Sequence, residues 1–201
     1  EVIIVDKKGD YAPWVELMGG RVVDIRPEAG VTVNMFDLDQ LFYHEPPQVP
    51  SESKLAFLQK MFHVLLNKPS DPNLALKEQL WLEAVRVAYG ANTDVVEEEG
   101  AGRTAYKVTP PTLTQVIDTI RNLDAIGRNS LTAEQKVIAR QLATELSAWT
   151  TGPMASFLDG QTTLRKEEEG ANIVYFNLAG IDQLDAQIYM TLALALIADR
   201  I

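Results

Sequence analysis

Apolar and polar positions change rhythm twice along the chain. Val2-Ile-Ile-Val5 is a run of four apolar, β-branched residues. Such a run predicts a strand buried on both faces, as in a parallel sheet covered by helices. The run stops at Asp6, and Lys7-Lys-Gly-Asp10 reads as a turn. Tyr11 to Met18 is helix-like, with Pro13 in the first turn, where proline is tolerated. Gly19-Gly20 ends it, and Arg21-Val-Val-Asp-Ile25 predicts a second strand with Val22, Val23 and Ile25 buried. Val31 to Phe36 is extended and interrupted by Asn34.

The first change comes at Tyr43. His44 to Ser51 carries Pro46, Pro47 and Pro50 and reads as an extended linker. From Glu52 to Asn67 the period is helical, with Phe57, Met61, Val64 and Leu65 on one face. Asp71-Pro72 reads as an N-cap and first helical position. The helix behind it runs to about Tyr89, with Leu76, Leu80, Ala84, Val87 and Ala88 facing inward. Thr93 to Lys107 is polar, contains Glu97-Glu-Glu99, and reads as a solvated loop. Thr112-Leu-Thr-Gln115 and Thr132-Ala-Glu-Gln135 have capping-box spacing. Behind them, Leu113, Val116, Ile117 and Ile120, then Val137, Ala139, Leu142, Leu146 and Trp149, are the packing faces. Residues 51–150 therefore predict a four-helix insertion.

The second change restores the sheet. Pro153 to Gly160 is turn-rich, Arg165 to Gly170 is a charged loop, and Ile173 to Leu178 is another doubly buried strand. A final apolar helix follows from Leu184. The class is α/β, a partial parallel sheet with an inserted all-α subdomain. Its expected boundaries are 1–43 for the first α/β segment, 44–152 for the helical insertion and 153–201 for the return to the sheet.

Charge and composition narrow the function. The net charge of −10 argues against direct nucleic-acid binding through a broad basic face. Cysteine is absent, which removes disulfides and thiolate metal sites. In the last helix only Ile188 to Ala198 is free of charge, a rise of ~16 Å at ~1.5 Å per residue. That is short of the ~30 Å hydrocarbon core, so no transmembrane segment is expected. The chain begins inside a strand, which reads as a piece of a larger protein.

Most chemical signatures are missing from the 201 residues. The phosphate-loop pattern G-x-x-x-x-G-K-[ST] does not occur; Gly100-Ala-Gly102-Arg-Thr104 lacks the lysine and a convincing strand before it. Ile173 to Leu178 has the look of a magnesium-binding strand but carries Asn177 where a carboxylate is needed. His44 and His63 have no metal-ligand spacing, and no G-x-S-x-G elbow exists. The turn after the first strand remains, with Asp6, Lys8, Asp10 and Tyr11. In open α/β sheets ligands sit outside the carboxyl ends of the strands, where this turn lies. The plainer reading is that both aspartates form the turn and Tyr11 wedges under the sheet.

Three stretches carry a resemblance: Val2-Ile-Ile-Val-Asp-Lys-Lys-Gly-Asp-Tyr11, Gly19-Gly-Arg-Val-Val-Asp-Ile25 and Val33-Asn-Met-Phe-Asp-Leu38. Together they resemble the ATPases that energise conjugative DNA transfer and type IV secretion, in the HerA/FtsK-like branch of RecA-type motors. Phe157-Leu-Asp-Gly160 is similar to the family's Phe-x-Gly stretch, and Ile173 to Ala179 to its apolar strand ending in Phe-Asp-Leu. Asn177 departs from that Asp, and Met35 from the usual Pro. The resemblance implies a partial RecA-like sheet between Walker A and Walker B. Those motifs would lie before Glu1 and after Ile201, and the chain alone would be inactive. It also implies ATP and magnesium as cofactors of the whole protein, which is expected to be a hexamer. It places that protein at the cytoplasmic face of the inner membrane with other secretion proteins as partners. By the same resemblance Asp6, Lys8, Asp10 and Tyr11 are its nucleotide-proximal residues, with Asp6 the functional carboxylate and Asp10 the cap. Two other functions fit the residues. One is a non-catalytic helical interaction module on a small α/β base; the other is an unrelated α/β enzyme using Asp6 and Asp10 on a metal.

Overall fold

The computed structural model describes residues 2–6, 8–24, 30–97, 104–126, 130–152, 155–163, 173–177, 179, 188, 190 and 191. They divide into two units, residues 1–35 with 151–201 and residues 36–150.

The first unit is an α/β layer. Its strands are β1 (Val2–Asp6), β2 (Arg21–Asp24) and a distant strand, Ile173–Asn177. That distant strand lies in the middle and pairs in parallel with both others. The opening strand and Ile173–Asn177 thus share one parallel sheet, the class expected from the sequence. The burial expected of the opening strand is not found. Val2 is 53% exposed and Ile4 and Val5 are half-buried, because among the described residues β1 lies at an edge of this sheet. The strand buried on both faces is the central one, whose Val174, Tyr175 and Phe176 are nearly inaccessible. Val23 is the buried residue of β2, Val22 is half-buried, and Ile25 lies outside the described residues.

Between β1 and β2 runs α1 (Ala12–Leu17), with Val15 against the sheet. Its end shows why the chain carries a Gly-Gly pair. Gly19 has φ +70°, left-handed backbone that a side chain strains. At Gly20 a Cβ would stand 2.6 Å from Val15 Cγ1 and 2.9 Å from Ile173 Cβ. The turn must press against the central strand, so a side chain is excluded there.

The second unit contains four long helices: α2 (Glu52–Leu66), α3 (Leu74–Ala91), α4 (Leu113–Ile126) and α5 (Ala133–Thr151, its last residue in the first unit). Both capping boxes close as read. Gln115 N donates to Thr112 Oγ1 at 3.3 Å and Thr112 N to Gln115 Oε1 at 2.9 Å. Gln135 N and Thr132 N make the same exchange at 3.2 and 2.9 Å. The buried faces of two helices are turned from the expected ones. In α2 they are Leu58, Met61, Phe62, Leu65 and Leu66, and in α3 Trp81, Val85 and Tyr89 join Leu80, Ala84 and Ala88. The large rings decide the phase. Trp81 packs between Phe36 and Phe62, each 5.8 Å away between centroids, and its indole donates to Leu58 O. In α5 Val137 is 54% exposed and Ile138 takes its place in the core. The third helix also starts later than Asp71-Pro72. Its N-cap is Asn73, and the Asp71 carboxylate accepts from Asn73 N instead.

The stretch read as a solvated loop is a hairpin. β3 (Phe42–Tyr43), β4 (Thr93–Glu97) and β5 (Thr104–Val108) form an antiparallel sheet in the order β3-β5-β4. Val95 and Val96 face Tyr106 and Ala105 across the ladder, and Ala105 and Val108 are buried. The β-branched pair beside the acidic run was the available signal. Residues 36–43 also belong with the helices rather than the α/β layer. Phe36 is fully buried against Trp81, and Tyr89 Oη donates to Phe36 O.

A one-turn helix, α6 (Ala155–Leu158), precedes the central strand of the first sheet, which is β6 (Ile173–Asn177). Of the expected final helix only Ile188, Met190 and Thr191 are described, all helical, with Ile188 buried. The rest of that helix, the charged loop at 165–170 and the glycines at 100 and 102 lie outside the described residues. Among the described residues no helix is long and apolar enough to cross a membrane.

Candidate functional site

The carboxyl ends of the three parallel strands form one row. Asp6 of β1 and Asp24 of β2 both stand in register with Asn177 of β6. Beyond Asp6 the chain reverses into α1 within five residues, and the Asp6 side chain organises that reversal. Its Oδ1 accepts from Lys8 N at 2.8 Å and its Oδ2 from Asp10 N at 3.0 Å. Tyr175 Oη, from the central strand, donates to the same Oδ2 at 2.9 Å.

These donors hold the Asp6 carboxyl below its usual pKa. The Lys8 amide is the largest cause, opposed by partial burial and supported by Tyr175 and the Asp10 amide. Tyr175 shifts the other way, pushed up to about 12 by burial and then by its bond to Asp6. The phenol therefore stays protonated and works as a donor. Gly9 lets the turn close. It has φ +82°, and a Cβ there would meet Ala179 Cβ at 2.9 Å and Asn177 Oδ1 at 3.2 Å. Asn177 Oδ1 in turn accepts from Ala179 N at 3.1 Å, a bond within the segment that follows β6.

The four sequence-singled residues do come together, with roles divided differently. Asp6 receives the bonds that define the turn, and Asp10 supplies a backbone N–H. The assignment of the cap to Asp10 is corrected accordingly, because a carboxylate at the strand end is placed to receive the amides that follow it. Lys8, Asp10 and Tyr11 are exposed around the turn, Tyr11 by 57%. Tyr11 is thus not wedged under the sheet. The buried tyrosine beneath this turn is Tyr175 of the central strand. Asn177, where the resembled family has Asp, is polar and engaged. Among the described residues no group of three or more His, Asp or Glu could hold a metal ion.

A second pair of singled-out stretches also meets. Thr32 and Asn34 are bound to the segment around Phe157-Leu-Asp-Gly160 by backbone and hydroxyl groups. Val33 N donates to Phe157 O at 2.9 Å, Thr32 Oγ1 to Ser156 O at 2.7 Å and Thr163 N to Thr32 O at 3.0 Å. Asn34 N donates to Thr162 Oγ1 at 2.8 Å, and the Asn34 side chain is buried. A Cβ at Gly160 would lie 3.1 Å from Thr32 Cγ2, so the two segments run in close contact.

This arrangement has a counterpart among solved structures. VirB4 of Thermoanaerobacter pseudethanolicus matches with a TM-score of 0.66 over 98% of this chain and 68% of that one. The fold is that of VirB4. Sequence identity with VirB4 is 16%, so the likeness establishes the fold and the mixed α/β class read from the sequence. No protein-family model matches the chain, and no curated protein matches it. The likeness in fold extends over residues of both units.

Proposed function

We propose that the chain is part of an ATPase that powers type IV secretion or conjugative DNA transfer. The observation that carries this reading is the VirB4 fold over 98% of the chain. The order of the motifs along the sequence supports it independently. In this reading the phosphate loop and the acidic magnesium-binding strand belong to chain beyond these 201 residues. The present segment contributes the strand-end turn and the inserted helices, the latter within the unit of residues 36–150. ATP and magnesium are the cofactors of the whole protein, which acts as a hexamer beside other secretion components at the cytoplasmic face of the inner membrane.

The strand-end row does not fit a complete magnesium site. Three donors already occupy the two oxygens of Asp6, and no third acidic or histidine ligand gathers there among the described residues. Asp6 therefore acts by shaping the turn. Lys8, Asp10 and Tyr11 are the side chains that the turn offers outward, to the nucleotide or to a neighbouring subunit. Bound nucleotide with its metal would supply the electrophilic phosphoryl group, and these residues would orient it.

Reading the gene on either side tests the proposal. The expected result is G-x-x-x-x-G-K-[ST] before Glu1 and an apolar strand ending in Asp-Glu after Ile201. A complete gene without a phosphate loop overturns it and favours the non-catalytic interaction module.

A further inference from the structure

The helical unit contains a cleft of about 940 Å³ between the α2–α3 connection and α5. Its floor is an ion cluster. Lys77 Nζ lies 2.7 Å from Asp71 Oδ2 and 2.7 Å from Glu145 Oε2, and Lys68 Nζ lies 2.8 Å from Glu145 Oε1. The Lys77 side chain is 3% exposed. Two ammonium groups face two carboxylates, so the floor is balanced and its strongest donors are already engaged. The cluster ties the connection and α3 to α5 and fixes the cleft before anything binds.

Above the floor the character changes. Pro69 and Pro72 form one wall, and Val137, 54% exposed, stands on the other. Arg140 lies one helical turn beyond Val137 on the same cleft-facing side of α5. Its guanidinium makes no ion pair with a described residue, in a chain of net charge −10. An apolar slot beside one uncompensated cation is complementary to an apolar side chain next to a carboxylate. The cleft is open to solvent, which suits a segment lying across the surface better than a compact ligand that needs enclosure. The acidic chain repels a second copy of itself, which disfavours self-association here.

We propose that this cleft docks a short segment of a partner protein. A bulky apolar residue of that segment sits between Pro72 and Val137, and an adjacent Asp or Glu pairs with Arg140. The site is separate from the strand-end turn and does not depend on the nucleotide reading. A phosphate-bearing ligand is the weaker fit, because both lysines are neutralised and one arginine remains.

The test begins with a random-sequence peptide library selected on the folded chain. Enriched peptides should carry Phe, Trp, Leu or Met beside Asp or Glu. A fluorescent peptide of that type is then measured by polarisation. Arg140→Glu and Val137→Asp, both surface changes, should each weaken binding about tenfold or more. Replacing the peptide's acidic residue by Lys should restore binding to Arg140→Glu, and an intact circular dichroism spectrum shows that variant to be folded. No enrichment, enrichment of basic peptides, or binding indifferent to both substitutions overturns the proposal. Displacement of the peptide by inorganic phosphate at constant ionic strength also overturns it, in favour of a small-anion site.

Discussion

Replacing Asp6 by Asn separates a turn-forming carboxylate from a reacting one. The wild-type carboxylate accepts from three donors on two oxygens. An amide offers one oxygen. If that oxygen stays on Lys8 N, the amide nitrogen faces Asp10 N, and Tyr175 Oη must rotate to accept. If the amide flips, Lys8 N loses its acceptor. Either way one backbone N–H is unpaired and the remaining bonds lose charge assistance. Two of the three bonds lie at the surface, so the cost is about 1–2 kcal/mol rather than the full value for a buried group. Hydrogen exchange reads it directly: the Asp10 or Lys8 amide should lose protection, and the slowest amides of β6 should exchange faster by the global loss. The sign with pH is fixed by the lowered Asp6 pKa. The stabilisation is fully present above the unfolded value of about 3.9 and is lost as pH falls through the folded one. Wild type and Asp6→Asn should therefore differ by a constant amount above about pH 5 and converge in acid. Unchanged protection and stability in Asp6→Asn would refute the turn role. So would a loss of about 100-fold in any ATP turnover of the complete gene product with no loss of stability, the mark of a group acting on the reacting phosphate.

Two further substitutions probe the frame. Gly20→Ala places a methyl against Val15 and Ile173 and should cost about 1–3 kcal/mol in denaturant unfolding; no effect would mean that the α1–β2 turn is looser than described. Lys77→Met removes the cation between Asp71 and Glu145 and should destabilise the helical unit by about 2 kcal/mol, followed through Trp81 and Trp149 fluorescence. The carboxyls of Asp71 and Glu145 are held low, chiefly by Lys77 for Asp71 and by both lysines against burial for Glu145. Burial opposes the charge of Lys77, but its two partners outweigh it and raise its pKa. The contribution is then present between the unfolded carboxylate and lysine values, about 4 and 10.4, and fades beyond each end. A wild-type advantage that grows below pH 4 would contradict it.

What the sequence discloses here is mostly local. Thr112 with Gln115 and Thr132 with Gln135 are neighbours along the chain, so their caps are legible without a structure. Ile173 to Asn177 is legible because a central parallel strand must be apolar throughout. The phases of α2 and α3 are not, since Trp81 selects its face through contacts with Phe36 and Phe62 from other segments. The edge position of β1 is hidden for a related reason: its apolar run looks central until the strand order is known. Asp6 is the sharpest case. The residue is conspicuous in sequence, but its role depends on Tyr175, which is 169 positions away. Lys77 gives no warning of burial because its partners come from the preceding connection and from α5.

Magnesium-dependent ATP hydrolysis tests the functional reading most directly, measured side by side on these 201 residues and on the complete gene product. The expected result is turnover by the complete protein, abolished when its phosphate-loop lysine is replaced, and none by the 201-residue chain above a mock-purified control. Turnover by the shorter chain alone, or a complete, folded protein that neither binds nor hydrolyses ATP, would contradict it.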